Sequence, residues 1–132
     1  MSTGLILFAH GARDARWREP FDRVAALVTR RHPGPVSLAF LEAMSPDLTQ
    51  AAVALAAAGA ERITIVPLFL GSGGHLRQDL PALIAKAQAA VGVPLSAVAA
   101  VGEDASVITA MAEYCLHSGA EPRSGPQRVL YL

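Results

Sequence analysis

Hydrophobic and polar positions along this chain switch between two periods, and the switches mark its elements. Residues 4–9 (Gly-Leu-Ile-Leu-Phe-Ala) carry no charge and predict a buried strand. Residues 19–31 place Phe21, Val24, Ala25 and Val28 at helical spacing, with Pro20 tolerated in the first turn. His32-Pro33-Gly34-Pro35 stops that helix, and residues 36–41 predict a second strand ending at Glu42. Ser45-Pro46-Asp47 reads as an N-cap serine with proline at the first helical position. Leu48, Ala51, Ala52 and Leu55 then carry a second helix to a stop at Gly59. The apolar run 63–70, β-branched in its first half, predicts a third strand. Gly71-Ser72-Gly73-Gly74 follows as a loop with backbone freedom to turn tightly or take positive φ. Leu76, Leu80, Leu83, Ile84 and Ala87 give the third helix its apolar stripe, and Gly92-Val93-Pro94 breaks the chain again. Residues 95–101 predict a fourth strand and 104–117 a fourth helix. Residues 119–127 predict a loose connector, and 129–132 either a short added strand or a frayed end.

Strands alternating with helices imply a parallel sheet with right-handed crossovers and helices on both faces. The expected fold class is α/β: a three-layer, flavodoxin-like, four-stranded parallel sheet of order 2-1-3-4. It forms one domain over residues 1–118, with 119–132 as a tail. A chain of 132 residues, 52% hydrophobic and 17% charged, has material for one core and is not a disordered segment. Eleven basic and eleven acidic residues cancel, which gives no electrostatic argument for nucleic acid or an anionic membrane as partner. The one cysteine, Cys115, excludes an intrachain disulfide and a cysteine-based zinc site, and is expected as a buried small hydrophobe. The first nine residues lack a basic region and a run long enough for a signal or a membrane span, so a cytoplasmic setting is expected.

In the order 2-1-3-4 the first and third strands are neighbours, and a crevice opens at their carboxyl ends. His10 follows the first strand, His75 closes the loop after the third, and Glu42 reaches the same edge from the second. A glycine loop before a helix invites comparison with a phosphate cradle. That cradle requires Gly-Lys-Ser/Thr, however, and here stands Gly74-His75-Leu76. Two imidazoles with a carboxylate suit a divalent first-row metal and leave coordination sites open. A helix start favours the neutral, ligating form of His75. A single loop histidine is more often a hydrogen-bonding surface residue than a ligand; the shared position of two at adjacent strand ends reverses that balance. Arg13, Asp14 and Arg16 read as a solvated loop face, with Arg13 available to a substrate carboxylate. His32 and His117 fall near helix ends, where a capping or dipole role is the better reading. Trp17, Phe69 and the methionines read as core or pocket lining.

Three motifs in register carry a resemblance over residues 4–101. They are Leu-Ile-Leu-Phe-Ala-His10-Gly-Ala-Arg-Asp, then Ala-Phe-Leu-Glu42-Ala-Met-Ser-Pro-Asp-Leu, then Val-Pro-Leu-Phe-Leu-Gly-Ser-Gly-Gly-His75-Leu-Arg-Gln-Asp-Leu-Pro. Together they resemble the sirohydrochlorin cobaltochelatase and ferrochelatase family of CbiX type, class II chelatases that need no ATP. The resemblance implies a chelatase-like fold and insertion of Co²⁺, Ni²⁺ or Fe²⁺ into sirohydrochlorin, in cobalamin- or siroheme-type biosynthesis. No cofactor is implied beyond the substrate metal. His10 and His75 map onto metal-binding and catalytic positions, with Glu42 as a further catalytic candidate. Ser72, Gly73 and Gly74 would offer amides to the substrate carboxylates, and Phe69 and Leu70 would lie against the ring. A single copy of the unit implies a homodimer with a composite active site. Two other readings compete. One is a non-catalytic cobalt or nickel carrier. The other is a histidine phosphatase, which would need arginine where Ala9 stands.

Overall fold

The computed structural model describes residues 2–71 and 73–120. Its strands are β1 (Thr3–Ala9), β2 (Val36–Phe40), β3 (Arg62–Pro67) and β4 (Leu95–Ala97). Its helices are α1 (Glu19–Arg31), α2 (Leu48–Ala57), α3 (Gly74–Ala89) and α4 (Ala105–Ala120), with 3₁₀ turns at Ala15–Arg18 and Val101–Glu103. All strands are parallel, in the order β2-β1-β3-β4, so the expected sheet and its order are found.

The uncharged first strand is buried on both sides, as an inner parallel strand must be. Ile6 and Phe8 face a core with Ala51, Ala52, Leu55, Ile63 and Ile65 beneath α2 and α3. Leu7 and Ala9 join Leu38 and Phe40 beneath α1, which contributes Phe21, Ala25 and Val28 from its stripe. Ala51 and Ala52 are fully buried, so the small side chains that dominate α2 let that helix approach the sheet closely. Glu19 and Asp22 in the first turn of α1, and Arg30 and Arg31 in its last, complement the helix dipole.

Four boundaries differ from expectation by two residues or more. Helix α2 is capped by Asp47 rather than Ser45. The Asp47 carboxylate accepts the Gln50 N–H at 2.8 Å, and the Gln50 side chain accepts the Asp47 N–H at 2.9 Å. Pro46 lies before the helix in a cis peptide bond with Ser45, and its carbonyl accepts from Phe40 N–H. Strand β3 stops at Pro67 instead of residue 70, and β4 at Ala97 instead of 101. Ile63 N–H donates to Pro94 and Val98 N–H to Ile65, so odd-numbered residues of β3 face β4. The next rung belongs to residue 67, and proline has no N–H to donate. Helix α4 runs through Gly119 to Ala120, into the segment expected as connector; residues 121–132, with the added strand expected at 129–132, lie outside the described residues.

The largest departure is α4 itself. It packs on the rest of the described chain chiefly through the 3₁₀ turn before it and leaves nearly every residue exposed. Cys115, expected buried, is therefore exposed; Met111, expected as core or pocket lining, is outside the core and lines a concave surface along α4. Among the described residues no helix is long and apolar enough to cross a membrane.

Replacing Asp47 by Ala removes the cap of α2, at a cost of about 1 kcal/mol. The thermal midpoint by circular dichroism should fall by about 4 °C.

Candidate functional site

The carboxyl ends of the parallel strands share one edge, and there β1 and β2 stay joined beyond their last paired residues. Leu41 N–H donates to Ala9 at 2.9 Å and Glu42 N–H to His10 at 3.0 Å. Gly11 sits at φ +92° directly against Glu42: a β-carbon there would lie 1.8 Å from the Glu42 carbonyl oxygen. Ala43, at φ +64°, then turns the chain back, with Met44 N–H on the Glu42 carbonyl at 2.8 Å. The result is a side-chain pair. His10 Nε2 and Glu42 Oε1 are 2.9 Å apart, with the two side chains 55% and 64% exposed.

On the other flank of β1, Leu68 N–H donates to the Phe8 carbonyl at 2.7 Å, carrying the β3 side of the ladder one residue past Pro67. Phe69 is half-buried, with its ring edge-on to Phe8 at 6.0 Å, while Leu70 is 66% exposed. The segment is braced from the far side by Gly102, whose N–H donates to the Phe69 carbonyl at 3.0 Å. A β-carbon on Gly102 would meet the Leu70 carbonyl oxygen at 1.7 Å. His75 is the second residue of α3, inside its first turn rather than in the loop before it, and Gly73 is the N-cap. Ser72 and the side chain of His75 lie outside the described residues. Of the two expected uses of backbone freedom, a tight turn or a positive φ, the second is not found at the described loop glycines: among the described residues the positive-φ glycines are Gly11 and Gly59, Gly73 has an ordinary φ of −61°, and Gly71 lies in a bend. What Gly71 and Gly73 provide is space, since a β-carbon at either would meet nothing within 4 Å.

Arg13 is exposed on the loop leaving β1. Asp14 caps the 3₁₀ turn through Arg16 N–H and pairs with the Arg16 guanidinium at 2.8 Å, and that pairing holds its carboxyl below the usual carboxylate range. Trp17 stacks on Phe21 at 4.4 Å and lines the second core. His32 caps α1 at the opposite edge, its Nε2 bonded to the Thr3 carbonyl at 2.6 Å. His117 lies in the last turn of α4. Among the described residues no three His, Cys, Asp or Glu side chains form a metal set; the His10–Glu42 pair stands at the sheet edge from which β3 leads on into α3.

Two cavities border this edge. One, of 160 Å³, is lined by residues that include Phe8, Phe40, Leu41, Asp47 and Lys86; the other, of 210 Å³, by residues that include Pro67, Leu76, Arg77 and Glu103. Both are below the roughly 300–1,000 Å³ usual for a small-molecule pocket. The sequence reading passed over the structural parts of Gly11 and Gly102. A lone glycine after a strand carries no sign of which backbone will press on it.

The family model described as CbiX matches residues 4–117. A sirohydrochlorin cobaltochelatase of Saccharolobus solfataricus is 33% identical over 81 residues, covering 61% of this chain and 62% of that protein. One from Methanothermobacter thermautotrophicus is 31% identical over 81 residues, covering 61% and 57%. The match thus spans less than two thirds of the length of these curated relatives. Among solved structures, a cobalamin (vitamin B12) biosynthesis CbiX protein from Marinobacter aquaeolei VT8 superposes with a TM-score of 0.81 at 31% identity, over 89% of this chain and 98% of that one. The sirohydrochlorin chelatase SirB from Bacillus subtilis subspecies spizizenii, in complex with cobalt, shares the fold. Its TM-score is 0.76 at 24% identity, over 89% of this chain and 51% of that one.

Gly11→Ala sets a side chain against a backbone oxygen in the left-handed region and should destabilise the fold by about 2 kcal/mol or more. Gly71→Ala should change stability by less than about 0.5 kcal/mol. Urea unfolding of the two variants beside the parent chain measures both.

Proposed function

This chain belongs to the CbiX family, and from that premise we propose that it is an ATP-independent chelatase inserting Co²⁺, Ni²⁺ or Fe²⁺ into sirohydrochlorin. The observation that carries the reading is the pairing of His10 with Glu42 at the carboxyl ends of β1 and β2. Insertion exchanges two pyrrole N–H protons for one divalent ion, so it needs a ligand to deliver the metal and bases to take the protons. The His10–Glu42 pair suits both tasks. With the His10 Nε2–H donated to the Glu42 carboxylate, Nδ1 keeps its lone pair for a metal ion, and the carboxylate fixes the ring orientation as it does behind other metal-binding histidines. As the ion passes to the macrocycle, the freed imidazole and Glu42 accept the protons, and both release them readily at an exposed edge. His75, in the first turn of α3, is the second ligand or base of the reading.

The substrate is broad, flat and rich in carboxylates. Gly71 and Gly73 leave the lip before α3 open to a planar ring. The amides of Ser72, Gly73 and Gly74 are the donors proposed for its carboxylates, as at other helix starts, and exposed Arg13 is a further partner. Leu70, largely exposed, and Phe69 behind it offer an apolar surface to one face. Cavities of 160 and 210 Å³ cannot enclose a tetrapyrrole, which supports a homodimer in which a second copy completes the enclosure.

Mixing the full chain with Co²⁺ and sirohydrochlorin, without nucleotide, should change the visible spectrum much faster than the spontaneous reaction. A rate no faster than the spontaneous one rejects the chelatase and leaves a metal carrier. His10→Ala and His75→Ala should each lower the insertion rate by about 10²-fold or more with the fold intact by circular dichroism. Glu42→Gln, which keeps a hydrogen-bonding side chain but cannot take a proton as a carboxylate does, should fall between them and the parent.

A further inference from the structure

The cavity of 160 Å³ at the strand edge is too small for a tetrapyrrole ring, but it has room for one arm of it. A water takes about 30 Å³ of liquid volume, so the space equals roughly five waters, enough for a short acid chain. Its place fits that use. Phe8, two residues before His10, and Leu41, next to Glu42, form part of the wall, so the cavity lies against the chain that carries the pair. Ile6 and Phe8 face the α2 and α3 side of the sheet, and strand alternation puts position 10 on that side too. The rest of the wall includes Thr49 in the first turn of α2, and Leu83 and Lys86 in the second half of α3.

Three polar side chains line this cavity: Asp47, Thr49 and Lys86. The Asp47 carboxylate is committed, accepting the Gln50 N–H as the cap of α2. Lys86 is not. Among the described residues it makes no ion pair and no hydrogen bond, and neither does the Thr49 hydroxyl. A lysine on an exposed helix face commonly serves solubility alone. The helical register sets this one apart. Lys86 follows His75 by eleven residues, three turns of α3, so the two positions share one face of the helix about 16 Å apart along its axis. A helical side chain leans toward the N-terminus and closes part of that gap. What remains is a span like that from the centre of a tetrapyrrole to an acid group on its rim.

We propose that this cavity seats one carboxylate arm of the macrocycle, with Lys86 Nζ as its charge-assisted donor and the Thr49 hydroxyl as a second donor. The apolar wall of Phe8, Leu41 and Leu83 takes the methylenes of the arm, and the ammonium at its mouth takes the acid. One arm held at a fixed point sets the rotation of the ring over the His10–Glu42 pair. A ring with an alkyl group at that place forgoes the bond, so the seat also favours acid-rich macrocycles over apolar ones. The inference rests on the chelatase reading above and deepens it by naming a specificity residue.

Titrating metal-free sirohydrochlorin into the full chain, followed by the absorbance of the macrocycle, measures the seat without turnover. Lys86→Met keeps the apolar stem and removes the charge. It should raise Kd about tenfold, and in the insertion assay the loss should fall on KM rather than kcat. Lys86→Arg should recover most of it, and Thr49→Val should raise Kd by about threefold. The thermal midpoint of Lys86→Met should match the parent. A parent-like Kd and KM in Lys86→Met, while the parent chain accelerates insertion, overturn the seat and spare the chelatase. A loss that comes with a lowered thermal midpoint and is not recovered by Lys86→Arg makes Lys86 a brace between α3 and the start of α2, and overturns the seat as well. A parent chain that neither binds sirohydrochlorin nor accelerates insertion overturns both.

Discussion

The site depends on one backbone contact: the run of β1 past Ala9 stays bonded to the run of β2 past Phe40, and Gly11 lets the two approach until only a hydrogen fits between them. Parallel strands normally part at their carboxyl ends as each turns into its own connection. Here the Glu42 N–H on the His10 carbonyl delays that parting by a residue. Two side chains from distant parts of the sequence are thereby set at hydrogen-bonding distance by the main chain rather than by a packed core. An exposed ion pair contributes little to stability by itself. Its geometry comes from the rigid sheet behind it, which is how a solvent-facing pair can stay oriented for chemistry.

The other half of the edge is shaped by an absence. Pro67 lacks the N–H that would bind β4 to β3, so the two strands separate and residues 98–103 swing over to the segment after β3. Gly102 then meets the backbone of Phe69 and Leu70 at a distance no other residue allows. A strand end that looks like lost pairing therefore gives the loop into α3 a second support, from the chain just before α4. The first turn of α3 is positioned from β1 on one side and from this turn on the other.

Much of this was legible in the sequence, because the signals that place elements are local. The uncharged run of β1, the stripe of α1 and the stop at Gly59 each declare their element within a dozen residues, and the alternation of strands and helices fixes the sheet. The juxtaposition of His10 and Glu42 followed from the strand order and needed no long-range information. What escaped were effects of a missing group. Proline at residue 67 ends a ladder on one side only, and which side depends on the register. Asp47 outcompetes Ser45 as cap because Gln50 stands three residues after it and reciprocates. The helix expected at residues 104–117 is found, but a helical segment does not say against which surface it packs, and the burial assumed for Cys115 failed for that reason.

The open lip at Gly71 and Gly73 separates two demands that most active sites must satisfy with the same residues. Nothing in the folded chain presses on these positions, and neither takes a backbone angle reserved for glycine. Side chains can therefore be added there without disturbing the core, while Gly11 and Gly102 keep the neighbouring backbone segments in close contact. The rim before α3 is free to change at the pace of surface residues, while Gly11 and Gly102, pressed against backbone, stay as constrained as the interior.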